Sequence, residues 1–194
     1  LMEPVDYYKE LRRKPEEAHE FMEFVTENLI YFAKAQIEAG ADILAISDPS
    51  GTGEILGPKR FEEFAVPYLN KIINAVKEDV PGGTIIHICG RLRSVYGMLN
   101  LLDSDVISFD AIANVKEVAR NVENKAIMGN VSTLAIEKGS IDTIKKLGRG
   151  CIKSGVNILS PACGIGARTK LENIQTLVGV AKEATSQNII SKSS

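Results

Sequence analysis

Tryptophan is absent from this 194-residue chain, histidine occurs twice and cysteine three times. No charge of one sign dominates either. Lys and Arg number 23 against 25 Asp and Glu, a net charge of −2, and the two signs are interspersed. That leaves no electrostatic footprint for nucleic acid or for a membrane surface. No apolar run approaches the roughly 20 residues of a membrane span, and the start carries no signal-peptide pattern. Three widely spaced cysteines, an odd number, argue against a secreted disulfide framework and for a reducing, cytoplasmic setting. The phosphate-binding loops GxGxxG and GxxxxGK[ST] are missing, although Gly51-Thr-Gly53 follows a strand pattern. The nucleophile elbow GxSxG is missing too. Nucleotide binding and serine-nucleophile chemistry therefore lack their usual scaffolds.

What is present is a core. Hydrophobic residues make up 44% of the chain, enough for one sizeable domain over 1–194, with no linker or low-complexity segment dividing it. Strand and helix patterns alternate. Pro15-Glu16-Glu17 opens a helix in which Phe21, Phe24, Val25, Leu29 and Phe32 recur at helical spacing, and Gly40 closes it. Residues 57–79 read as a helix burying Phe61, Phe64, Tyr68, Ile72 and Val76, with Pro67 bending or interrupting it. Strands are expected over 41–49, 84–90, 105–111, 125–132 and 156–164. Helices are expected over 93–102, 114–122 and 132–154, and from a capping box at Thr169-Lys-Leu-Glu172; the tail 186–194 looks frayed. The pattern is about five βα units, the α/β class with a parallel sheet, either doubly wound or part of a βα barrel.

Both architectures place chemistry at the carboxyl ends of the strands. Polar residues gather there: Asp48, His87 with Cys89, Asp110, Asn130 and Cys163. In "TIIHICG", His87 and Cys89 are two apart on a strand and face the same way. Alone they could be a core histidine beside a core cysteine. Cys163, in the glycine-flanked turn "SPACGIG", adds a third soft donor at another strand end. Three such ligands with a fourth position open are the pattern of a catalytic zinc. Cys151 reads as a small core residue, His19 as an exposed surface histidine, and Asp48 as a turn residue.

The stretches "ADILAISDPSGTGEILGPKRFEEFAVPYL", "HICG", "GNVS" and "SPACGIG", with Thr169-Lys-Leu-Glu-Asn173, resemble the uroporphyrinogen decarboxylase superfamily. Within it they resemble the zinc-dependent corrinoid methyltransferases that act on coenzyme M. The resemblance runs from about Pro15 to Lys182. It implies an eight-stranded βα barrel, of which this chain would supply the C-terminal five units, with exposed sheet edges through which it could self-associate. It implies zinc held by His87, Cys89 and Cys163, and an acidic residue near the metal at Asp110. The implied reaction moves a methyl group from a methylcorrinoid such as methylcobalamin, delivered by a corrinoid protein, to a small thiol. Zinc would serve by keeping that thiol deprotonated.

Coenzyme M is the expected acceptor, with Gly164 and Arg168 ahead of the last helix cradling its anionic group. After "CGI" the chain runs "GARTK", where the family often carries a proline-containing, less basic segment. Methyl transfer to homocysteine, a metal-free decarboxylase, and a corrinoid-protein binding module with structural zinc are the alternatives.

Overall fold

A computed structural model describes residues 3–192, with side chains through residue 186. Two helices lead the chain, α1 (Pro4–Arg13) and α2 (Pro15–Glu38). Five strands follow: β1 (Leu44–Asp48), β2 (Thr84–Ile88), β3 (Val106–Phe109), β4 (Ala126–Val131) and β5 (Ile158–Pro161). They form one sheet in the order β1-β2-β3-β4-β5, with every pair parallel. Sequential parallel order with right-handed crossovers puts all the connecting helices on one face. This is the topology of a partial (βα)8 barrel of five units, one of the two architectures the alternation allows and the one the family resemblance implies.

The two faces of the sheet differ accordingly. Ile86, Ile88, Ile107, Phe109 and Ile127 point to the helix side and are buried, joined there by Phe61, Ile73, Leu99 and Val118. The pairing register sets a row across the opposite face: Ser47, His87, Ser108, Met128 and Ile158 lie side by side on the five strands. Four of these five are polar or sulfur-bearing, and the fifth, Ile158, is 40% exposed. A buried helix side and a mixed, open opposite side set the orientation of every strand, because a one-residue slip would exchange them.

Between β1 and β2 the expected long helix is broken. It runs as α3 (Gly57–Arg60), a π-helical turn over Phe61–Ala65, and α4 (Val66–Asn74), followed by a short 3-10 turn over Lys77–Asp79. Pro67 has no N–H to give the preceding turn, so the ladder widens before it and restarts at Val66 with proline in the first turn. The 93–102 segment is a 3-10 helix (Arg93–Leu101) rather than an α-helix. Asn114 caps α5 (Val115–Asn121), accepting from the backbone N–H groups of Lys116 and Glu117. Ser132 caps α6 (Thr133–Lys138) and Ser140 caps α7 (Ile141–Lys153).

Other expectations are corrected. The last helix, α8, begins at Leu171 (Leu171–Lys192), and Thr169 Oγ1 is buried without a hydrogen-bond partner, so the capping box does not form. Helical structure extends to Lys192; the last two residues of the tail expected to fray lie outside the described residues. Helix α1 was not legible in the pattern. The aromatic stripe of α2 is not core: Phe24 and Phe32 are each 59% exposed, while the small residues Ala18, Thr26 and Ala33 are buried. Leu29 and Phe32 instead flank a groove along the free side of β1, with Ala45 and Ser47. A second apolar groove, lined by Leu159, Ile165, Ile174 and Val178, follows β5. Both outer strands of the sheet thus border uncovered apolar surface.

Phe109 carries the central packing, fully buried on β3 beneath the helices. Phe109→Ala is expected to cost about 3–5 kcal/mol of unfolding free energy, read as a lowered urea midpoint with little change in slope.

Candidate metal centre

β2 owes its form to Ile85, Ile86 and Ile88, β-branched residues that suit a buried parallel strand. His87 sits between them on the open face, and Cys89 follows one residue past the strand. Gly90 then turns with φ +77°, a conformation side chains resist, and Thr52 lies where a Cβ would intrude. Cys163 lies two residues beyond β5 and is exposed, while His87 and Cys89 are half-buried. Three strand steps of about 4.8 Å separate β2 from β5 along a flat sheet. Yet Cys89 Sγ and Cys163 Sγ are 3.9 Å apart. The sheet must therefore curl, and the turn after β5 must lean over its carboxyl end.

The donor atoms of His87, Cys89 and Cys163 all lie within 4.8 Å of one another. His87 Nε2 is 3.2 Å from Cys89 Sγ. Tetrahedral zinc with bonds of about 2.3 Å to sulfur and about 2.0 Å to nitrogen requires roughly 3.8 Å between sulfurs and roughly 3.6 Å from sulfur to nitrogen. Both separations and the soft donor set fit that demand. The other ring nitrogen, Nδ1, lies 2.9 Å from Ser108 Oγ, its register partner on β3. With Nε2 free to ligate, Nδ1–H donates to that hydroxyl and holds the ring in plane.

Asp110 stands beside the cluster, with both carboxylate oxygens engaged. Oδ2 accepts from Gly90 N–H at 3.2 Å and Oδ1 from Ile112 N–H at 3.0 Å. It thereby ties the residue after Cys89 to the turn after β3. Asn130 braces the same turn, its side-chain amide donating to the carbonyls of Asp110 and Ala113 at 3.0 Å each. Cys151 donates to Asn130 Oδ1 at 3.5 Å and packs against the core, as expected of a small core residue. Asp48 closes its own turn, accepting from Ser50 and Gly51 N–H. Gly164 follows Cys163 in an exposed turn. Arg168 is 87% exposed, with Nε 3.4 Å from Glu137 Oε1. His19 is not a free surface side chain. Its ring stacks on Phe64, and Nδ1 lies 2.8 Å from the Tyr68 hydroxyl.

Sequence reasoning missed Ser108. The signal was a polar residue inside the apolar strand "VISF", on the strand that pairs with the histidine's. Burial lowers the His87 pKa against a weaker opposing pull from the Asp110 charge, so the imidazole is neutral and able to ligate at pH 7. Burial pushes the Cys89 thiol up to about 11, helped by its hydrogen bond to Cys163 and by the charges of Cys163, Asp110 and Asp48. A cation placed among these groups relieves that burden.

A parallel βα sheet with a His/Cys/Cys donor set at the carboxyl ends of its strands defines the class as a partial βα barrel with a candidate soft-metal site. The family model for uroporphyrinogen decarboxylase (URO-D) matches residues 1–184, and the chain belongs to that family. It is 36% identical to the methylcobamide:CoM methyltransferase MtbA of Methanosarcina acetivorans over 163 residues, 83% of this chain and 48% of that protein. It is 32% identical to uroporphyrinogen decarboxylase 2, chloroplastic, of Oryza sativa subsp. japonica, over 87% of this chain and 44% of that protein. A solved methyltransferase from Methanosarcina mazei superposes with a TM-score of 0.84 at 28% identity, covering 94% of this chain and 54% of that one. The chain thus spans about half the length of the relatives it matches. Among the described residues no helix is long and apolar enough to cross a membrane.

Two outcomes follow from the site. Ser108→Ala should lower zinc affinity about 10- to 100-fold, measured by chelator competition, whereas Ser108→Thr, which keeps the hydroxyl, should restore most of it. The second concerns pH. His87 has a lowered folded pKa, so its contribution to stability is present above its ordinary value of 6.5 and is lost as pH falls below it. Cys89 has a raised one, so its contribution is present below 9.0 and is lost as pH rises toward about 11. Thermal unfolding of metal-free protein should therefore be least favoured between those limits, and Cys89→Ser should flatten the alkaline limb.

Proposed function

We propose that the intact protein transfers a methyl group from a methylcorrinoid, such as methylcobalamin on a corrinoid protein, to a small thiol. Coenzyme M is the acceptor we assign. The observation that carries this reading is the convergence of His87, Cys89 and Cys163 within ligating distance of one another. The similarity to a methylcobamide:CoM methyltransferase supports the acceptor. Zinc is the metal we assign to the cluster, where it would keep the acceptor sulfur deprotonated at neutral pH.

This chain's own groups have definite tasks in that reaction. Cys89 and Cys163 would hold the metal as thiolates, and their two negative charges would preserve the electron density of the acceptor sulfur. Ser108 holds the Nδ1 proton of His87 and so presents Nε2. Asp110 fixes the backbone at Gly90, and its charge beside Cys89 favours a cation over a bare thiol pair. The turn from Gly164 to Arg168 directly follows a ligand and stands open to solvent, which suits it to receive the anionic end of the acceptor. The uncovered grooves beside β1 and β5 support completion of the barrel by further βα units or, failing those, self-association.

The similarity to a plant uroporphyrinogen decarboxylase sustains a second reading, metal-free decarboxylation. Metal analysis of the intact protein separates the two. Near-stoichiometric zinc, lost in Cys89→Ala together with methyl transfer from methylcobalamin, is the expected result. Activity that survives zinc removal would favour decarboxylation. Preference for homocysteine over coenzyme M would replace the acceptor and keep the zinc chemistry. Arg168→Ala should raise KM for the thiol several-fold with zinc content unchanged.

A further inference from the structure

We propose that Cys89 and Cys163 form a reversible disulfide in the metal-free protein, so that the metal centre is also an oxidation site at which disulfide and metal exclude each other. The inference rests on the metal reading only for that exclusion; the crosslink itself rests on geometry. The two sulfurs lie 3.9 Å apart and in mutual contact, although 74 positions separate them in the chain. Bond formation brings them to about 2.0 Å. The residue that must move is Cys163, which is exposed and followed by Gly164, where even an added Cβ would meet open space. Cys89 is the fixed partner, half-buried and held by the Asp110–Gly90 hydrogen bond. Cys151 is placed differently. It packs against the core and donates to Asn130.

The oxidant class is a peroxide. The Cys163 thiolate attacks one peroxide oxygen, the O–O bond breaks, and hydroxide leaves with the electron pair, giving a sulfenic acid. The Cys89 thiolate then attacks that sulfur, and the sulfenic oxygen departs as hydroxide, which takes up a proton to become water. In sum, two thiols and one hydrogen peroxide give one disulfide and two waters. A dithiol reductant reverses the crosslink by exchange. The disulfide removes two of the three ligands from the metal. Conversely, sulfur lone pairs committed to a metal are withdrawn from the oxidant.

The test uses the full chain, stripped of metal and treated with stoichiometric hydrogen peroxide. The expected result is an intact mass lower by two hydrogens, free thiols falling from three to one, and a crosslinked peptide pair containing residues 89 and 163. Dithiothreitol should restore the starting mass. Cys151→Ser should leave the crosslink intact and Cys163→Ser should abolish it, with circular dichroism verifying that both variants fold. Zinc loaded beforehand should slow the oxidation about tenfold or more, because bound thiolates are shielded. A crosslink to Cys151, over-oxidation without a crosslink, or equal rates with and without zinc would overturn the proposal. Zinc stoichiometry of the reduced protein is measured in parallel. Zinc bound without a crosslink sinks the disulfide and spares the metal reading. A crosslink in protein that never binds zinc sinks the metal reading and, with it, the exclusion.

Discussion

The curl of the sheet is the constraint on which the site depends. Three donors converge only because strands that are not neighbours approach at their carboxyl ends, Cys89 beyond β2 and Cys163 beyond β5. Right-handed strand twist supplies the curl, and one-sided helix packing directs it. Buried Ile86, Ile88, Ile107 and Phe109 fix which way each strand faces. That choice puts His87 and Ser108 together on the open side. Core packing and ligand placement are thus one decision about strand orientation.

Around the cluster the polar groups form a frame. The strand end that carries Cys89 is bound through Gly90 to Asp110, and Asp110's own turn is held by Asn130. These bonds join β2, β3 and β4 at the level of the candidate ligands. The Asp110 carboxylate and the Asn130 amide N–H groups are matched by backbone groups and Asn130 Oδ1 by the Cys151 thiol, which is how polar residues near a protein interior avoid an unmet hydrogen bond. The frame leaves the sulfurs and one imidazole nitrogen as the groups free to bind something else.

Much of this was legible in the sequence. The alternation of apolar strands with capped helices gave the βα order, because each unit's pattern is local. His87, Cys89 and Cys163 stood out because soft donors at strand ends have few structural reasons to be there. Ser108 stayed hidden because its importance lies in the register with β2, a non-local fact. The exposure of Phe24 and Phe32 was equally illegible: helical periodicity reveals an apolar face but not what covers it. Pro67 signalled an interruption, but not that the ladder would widen into a π-turn. Thr169 had the spacing of a capping box, yet its helix begins two residues later.

The candidate ligands are divided two and one between distant parts of the chain. His87 and Cys89 stay within two residues of each other even in an unfolded chain, so they form a weak chelating pair whatever the fold does. Cys163 joins them only at the effective concentration that the intervening βα units impose. The affinity of such a set for a metal would therefore gauge how rigidly β3 and β4 carry the curvature from one end of the set to the other. A substitution deep under those strands, far from any donor, would loosen a metal held there by flattening the sheet. A metal held there would, in turn, report the shape of the fold between its three donors.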